Sequence, residues 1–160
     1  VRNWISPLLW LIFAAALQGS LANRVSVGWV KPDFLLVTAV ALSMRGSVEA
    51  SAGIGFVAGL FDSALWNERI AAFTISRMFA CVVATRVYQA TPAAGPWAAA
   101  VVTGAATLVA DILFLFLGIP SSLVEWLVST LGGILYNAAL ALVVYALQSR
   151  WAGRRSRTKI

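Results

Sequence analysis

Two apolar runs decide the fold: VEASAGIGFVAGLFDSALW (Val48–Trp66) and IAAFTISRMFACVVATRVY (Ile70–Tyr88), joined by NER at 67–69. A helix rises about 1.5 Å per residue, so about 20 apolar residues cross a hydrocarbon core of about 30 Å. Each run is of that order, and the polar triplet between them reads as a turn. The pair therefore reads as a transmembrane hairpin, with one acid (Asp62) and one arginine (Arg77) set inside it.

Outward from this hairpin the chain repeats the pattern. Apolar segments run from Trp4 to Ala22, Pro32 to Met44, Trp97 to Leu117 and Leu123 to Leu147. Arg45-Gly46, the stretch from Pro92 to Pro96 and the stretch from Gly118 to Ser122 separate them. The expected fold is an all-α membrane protein: a six-helix transmembrane bundle over residues 1–149, followed by a basic cytoplasmic tail at 150–160. The second segment is short, about 19 Å as a helix. It is tilted into the bundle, or continues through Val27 to Val30, or forms half a hairpin, and such backbone needs cover from other helices. The first segment also has a signal-peptide look, with Arg2 ahead of it and Ser20-Leu21-Ala22 as a small-x-small site. The rest of the chain is equally apolar, so we expect this segment to be retained as a helix.

Composition agrees. The chain is 61% hydrophobic and 11% charged, with a mean hydropathy of +0.86. Soluble domains are about 45–50% apolar and about 25% charged. A chain of 160 residues cannot hide so much apolar side chain in one water-facing core. With no histidine and one cysteine, Cys81, the usual zinc sites, Cys/His nucleophile pairs and internal disulfides are excluded. The net charge of +6 does not point to nucleic acid, because Arg150, Arg154, Arg155, Arg157 and Lys159 gather in the tail, where they meet anionic lipid.

The positive-inside rule orients the layout. With both ends in the cytoplasm, Arg2, Arg45, Arg86 and the tail lie inside, against Arg24, Lys31 and Arg69 outside. Trp4, Trp29, Trp66, Trp97, Trp126 and Trp151 fall at segment ends and only Trp10 inside one, as an interfacial aromatic belt requires.

The charged residues within the spans form the candidate site. Arg77 and Asp111 sit at matching depths, about 12 and 10 Å from the outer ends of their helices. Asp62 is nearer its end, and Asp33 and Glu125 stand near theirs. An unpaired charge at mid-membrane costs roughly 2.5–3.5 kcal/mol. Pairing of Arg77 with Asp111 is expected, Asp62 being the competing partner. Such a cluster either fixes helix register or lines a polar cavity or partner contact; the absence of histidine argues against a proton relay.

Helix faces suggest a packed interior. Gly55, Gly59 and Asp62 share a face of the third helix, and Thr74, Arg77, Cys81 and Thr85 one of the fourth. Thr103, Thr107 and Asp111 align on the fifth beside Gly104. Glu125, Ser129, Gly133 and Asn137 form a stripe on the sixth. Small residues let helices approach and polar ones bond across them. Gly55-xxx-Gly59 serves internal packing or docks a partner helix. There is no phosphate loop, no Gly-x-Ser-x-Gly and no metal-ligand spacing, so neither a catalytic residue nor a cofactor is expected.

Lys31-Pro32-Asp33-Phe34-Leu35-Leu36 resembles the (R/K)-P-D-L-L-L helix start of the rod shape-determining MreD family. Ala41-Leu42-Ser43-Met44-Arg45-Gly46 is similar to its L-x-x-R-x-G turn. Gly55-Phe56, Gly59-Leu60 and Asp62 resemble its G-F-x-x-G-L-x-x-D pattern. The motifs cover residues 31 to 62; length and helix number extend the likeness to the whole chain. Ser63-Ala64-Leu65-Trp66-Asn67 replaces the family's Gly-Ser-x-x-Gly, so the loop between the third and fourth helices departs from the pattern. The resemblance implies a non-enzymatic scaffold of the bacterial elongation machinery, in the cytoplasmic membrane. It would bind the membrane helix of MreC and link MreB filaments to RodA and its transpeptidase, in support of lateral peptidoglycan synthesis and cell shape. It also implies a fold similar to the substrate-binding subunits of energy-coupling-factor vitamin transporters, and Asp33, Gly55, Gly59 and Asp62 as the matching positions. The competing expectation is such a vitamin-binding subunit, with Ala15-xxx-Gly19 and Ala16-xxx-Ser20 as docking sites on the first helix.

Overall fold

A computed structural model describes residues 4–67, 69–92, 95–118 and 120–157, the last seven of these by backbone alone. Arg2, Glu68 and Lys159 lie outside the described residues, as do the side chains of Trp151, Arg154, Arg155 and Arg157. Among the described residues six helices follow one another: α1 (Ile5–Leu21), α2 (Phe34–Ser43), α3 (Val48–Trp66), α4 (Ile70–Ala90), α5 (Pro96–Leu117) and α6 (Leu123–Arg157). The fold is all-α, and the bounds depart from the expected segments mainly at α2 and α6. Helix α6 continues through the start of the expected tail to Arg157.

The helix boundaries follow from local chemistry. The Asp33 carboxylate accepts the Leu36 amide at 2.8 Å, capping α2. The Ser47 hydroxyl accepts the Ala50 amide at 3.3 Å to start α3, with Glu49 favourably placed in its first turn. Asn67 and Arg69 adopt left-handed backbone (φ 52° and 43°), which turns the chain sharply from α3 into α4. Pro96 opens α5, where its missing N–H costs nothing. Arg69 then donates from Nη1 to the Gly118 carbonyl at 2.8 Å, fastening the α3–α4 turn to the end of α5.

Among the described residues four helices are long and apolar enough to cross a membrane: α3, α4, α5 and residues 123–150 of α6. Their outward faces stay apolar, with Phe116, Leu135 and Val101 all more than 70% exposed. Patches of this kind are rare on water-facing monomers, and together with the spans they mark a multi-pass membrane protein. The described tryptophans agree: Trp29, Trp66 and Trp126 lie at one end of the bundle and Trp4 and Trp97 at the other.

The two shorter apolar helices play different parts. Helix α1, with 17 residues, lies at the edge and presents Ile5, Leu9 and Phe13 outward. Helix α2 has 10 residues, about 15 Å of rise, and does not match a full span. Of those ten, eight are buried, and it touches all five other helices. A helix apolar on every side belongs inside a bundle.

Helices α3 and α4 make the closest approach. A Cβ on Gly55 would lie 2.5 Å from the Arg77 carbonyl oxygen, and one on Gly59 2.5 Å from Thr74 Cα. The small-xxx-small motif is thus spent on internal packing, and Gly59 offers no open groove to a partner. Gly104 serves α5–α6 packing more loosely, with Ile134 at 3.3 Å.

A polar knot closes the end opposite Asp33. Arg45 donates to the Tyr145 hydroxyl at 2.7 Å, and the Tyr88 and Tyr145 hydroxyls are 3.1 Å apart. Thr85 donates to the Ser43 carbonyl at 3.0 Å and lies 2.7 Å from the Ser51 hydroxyl. These bonds tie the C-terminus of α2 to α3, α4 and α6.

Candidate functional site: a buried arginine and its polar cavity

Because α2 is so short, the segment before it dips into the bundle, and Asp33 stands well below the helix ends that surround it. Gln18, from α1, holds this segment in place. Its Oε1 accepts the Phe34 amide at 2.7 Å, and its amide group donates to the Pro32 carbonyl at 3.4 Å. On the other side the Asp33 amide donates to Asn137 Oδ1 at 2.9 Å, and the Asn137 amide group donates to Thr107 Oγ1 at 3.2 Å. The backbone polar groups around a non-helical dip are thereby satisfied, which an apolar solvent demands.

Arg77 occupies the centre. The α3–α4 glycine contact brings Asp62 alongside it, and Arg77 Nε donates to Asp62 Oδ2 at 2.9 Å. Arg77 Nη2 donates to Asp33 Oδ2, so one guanidinium bridges the caps and faces of α2, α3 and α4. Asp62 is 1% exposed and Arg77 7%, so a charge on Asp62 needs Arg77, and one on Arg77 needs its two carboxylates. The planar fork of arginine suits this double engagement, and lysine could not copy it.

The expected first partner of Arg77, Asp111, is not its ion-pair partner among the described residues; the competing partner, Asp62, is, together with Asp33. The reason is proximity of helices. Glycines bring α3 onto α4, whereas α5 packs on α4 without such a contact. Asp111 instead lies beside the Thr130 side chain and faces the same cavity. That cavity measures about 180 Å³ and is walled by α1, α3, α4, α5, α6 and the segment before α2. Asp33, Asp62 and Asp111 line it with Arg77 and Lys31, three carboxylates against two cations.

The expected stripe on α6 divides. Ser129, Gly133 and Asn137 line the cavity, while Glu125 does not join the cluster. Glu125 lines a second, outer cavity of about 310 Å³, together with Trp29, Lys31, Ser122 and Trp126. Lys31 and Ser129 border both cavities, which thus adjoin. Lys31 also lies over the Trp66 ring, 5.4 Å from its centroid.

Sequence reasoning missed Gln18, which contributes the amide that pins the dip. The available signal was a lone amide in the apolar run of the first segment. It used Lys31 as an orientation charge and as a motif position, and not as a residue of the cavity. Among the described residues no group of three or more His, Cys, Asp or Glu side chains is placed to hold a metal ion. Comparison with protein-family models, characterised proteins and solved structures finds no match to this chain.

Proposed function

We propose that this chain is a non-enzymatic membrane scaffold of the bacterial elongation machinery, of the kind that the MreD family provides. In this reading it resides in the cytoplasmic membrane with both termini in the cytoplasm, binds the membrane helix of MreC and links it to RodA and its transpeptidase. One observation carries the reading. Asp33 and Asp62, the acids of the two motifs that resemble the family, converge on one arginine. Distant motif positions thereby become one brace across α2, α3 and α4, which is what a scaffold needs from its interior.

With Gly59 occupied by α4, the partner surface moves elsewhere. An apolar groove of about 300 Å³ runs between α1 and α3, lined by Trp4, Leu8, Leu11, Gly53 and Val57. At Gly53 an added Cβ would meet only a Trp4 ring atom at 3.8 Å, so this wall is open. We assign the MreC helix to it.

The test is cysteine crosslinking in native membranes. Gly53→Cys should crosslink to the membrane span of MreC, and Leu135→Cys on the exposed face of α6 should not. Capture of MreC from neither position, with MreC also missing from material co-purified with the chain, would reject the reading. The vitamin-transporter alternative draws on the polar cavity of about 180 Å³ and the adjoining one of about 310 Å³. Against it, two of the three acids, Asp33 and Asp62, are committed to Arg77. A vitamin retained through purification would reverse that preference.

A further inference from the structure

The adjoining cavities at the Asp33 end carry charges that form no ion pair with the interior brace. Among the described residues the ion pairs of this region are those of Arg77. Lys31 has a ring as its neighbour, and Asp111 a hydroxyl. The outer cavity therefore offers a cation in its wall, and the adjoining inner one a carboxylate. Ser129 stands where the two cavities meet.

The height of the opening is fixed by Trp29 and Trp126, which line it and belong at the boundary between hydrocarbon and water. What meets an opening at that level is a lipid headgroup. The first turn of α6 also borders it. There the Ser122 hydroxyl accepts the Glu125 amide at 3.3 Å, while the amides of Leu123 and Val124 have no partner within the helix. Amides at a helix start, beside a lysine, suit a phosphate.

We propose that these cavities bind the headgroup of a phospholipid that carries a phosphate and a primary amine. The phosphate lies against Lys31 and the first turn of α6, and the ammonium reaches inward to Asp111. The chemistry selects among headgroups. A primary ammonium donates three hydrogen bonds, which Asp111 and the hydroxyls of Ser129 and Thr107 can accept. A trimethylammonium donates none and needs aromatic faces, and the face of Trp66 already carries Lys31. A glycerol headgroup brings no cation to the surplus carboxylate. This assignment needs only a bilayer around the chain and stands apart from the scaffold reading.

Native mass spectrometry of the delipidated full chain, titrated with phosphatidylethanolamine, phosphatidylcholine and phosphatidylglycerol of equal acyl length, tests it. Phosphatidylethanolamine should bind about ten-fold more tightly than the other two. Lys31→Gln and Asp111→Asn should each lower its binding about ten-fold, and Asp111→Asn should leave phosphatidylglycerol unchanged. Neither residue pairs with Arg77, so both variants should melt near the parent temperature, and a variant that does not is replaced by Ser129→Ala, expected to weaken the same lipid by a smaller factor. Equal binding of the three lipids, or a preference unchanged in every folded variant, overturns the proposal. Displacement by soluble phosphoethanolamine at equal concentration would transfer the site to a soluble ligand and overturn its assignment to a lipid.

Discussion

Replacing Gly55 and Gly59 by alanine probes the interior where it is tightest. At either position the new Cβ would sit 2.5 Å from an α4 backbone atom, where ordinary contact begins at 3.4 Å, a shortfall of about 0.9 Å. The atoms in the way are backbone, so no rotamer change relieves them, and α4 must move bodily. Overpacking of this kind costs about 1–3 kcal/mol. Alanine returns up to about 1 kcal/mol of helix propensity. The net expectation is a loss of about 1–2 kcal/mol for each single variant. The double variant should lose less than the two losses added, because one displacement of α4 accommodates both methyl groups. Gly53→Ala is the control: its Cβ meets one Trp4 atom at 3.8 Å, so it should be neutral or slightly stabilising. Equilibrium unfolding in micelles, read by tryptophan fluorescence, gives the numbers. Parent-like stability of Gly55→Ala and Gly59→Ala, or a strictly additive double variant, would refute the close-approach argument.

Arg77→Met should cost about 3–5 kcal/mol by stranding the Asp62 carboxylate, and adding Asp62→Leu should restore much of it; unfolding midpoints of the single and double variants decide this. Asp111→Asn, which breaks no ion pair, should shift stability by less than about 1 kcal/mol in the same assay. Gln18→Leu should cost about 1–3 kcal/mol by leaving the Phe34 amide unsatisfied, and hydrogen exchange at Phe34 should rise with it. Tyr145→Phe removes the acceptor of Arg45 and the partner of Tyr88, and a loss of about 1 kcal/mol is expected at this half-exposed knot.

The long helices were legible because hydropathy reports them directly: the bounds of α3 agree with the apolar run to the residue, and those of α5 to within one. Polar residues at three- and four-residue steps correctly marked the inward faces of α4 and α5, and on α6 that of Ser129, Gly133 and Asn137 but not Glu125. The pairing of Arg77 was not legible, because depth along a helix says nothing about which neighbour stands closest. That was decided by Gly55 and Gly59, whose role as the α3–α4 contact becomes visible only in three dimensions. Asp33 was placed at a helix end, which is correct, but its reach to Arg77 depends on how deeply that end is sunk. Depth of this kind follows from α2 being 10 residues long, and hydropathy alone read it as 13.

The shortness of α2 also bears on biogenesis. A stretch of about 15 Å cannot halt in a translocon as an independent stop-transfer sequence. We therefore expect it to settle only after α3 and α4 have emerged and offered it walls, with the capture of Asp33 by Arg77 as the closing event. Glycosylation mapping of nascent chains truncated after residue 47 and after residue 92 would reveal that order, and identical mapping of the acceptor site in both would contradict it. The central rod of this bundle would then be among the last parts to take its place, although it is made before most of its neighbours.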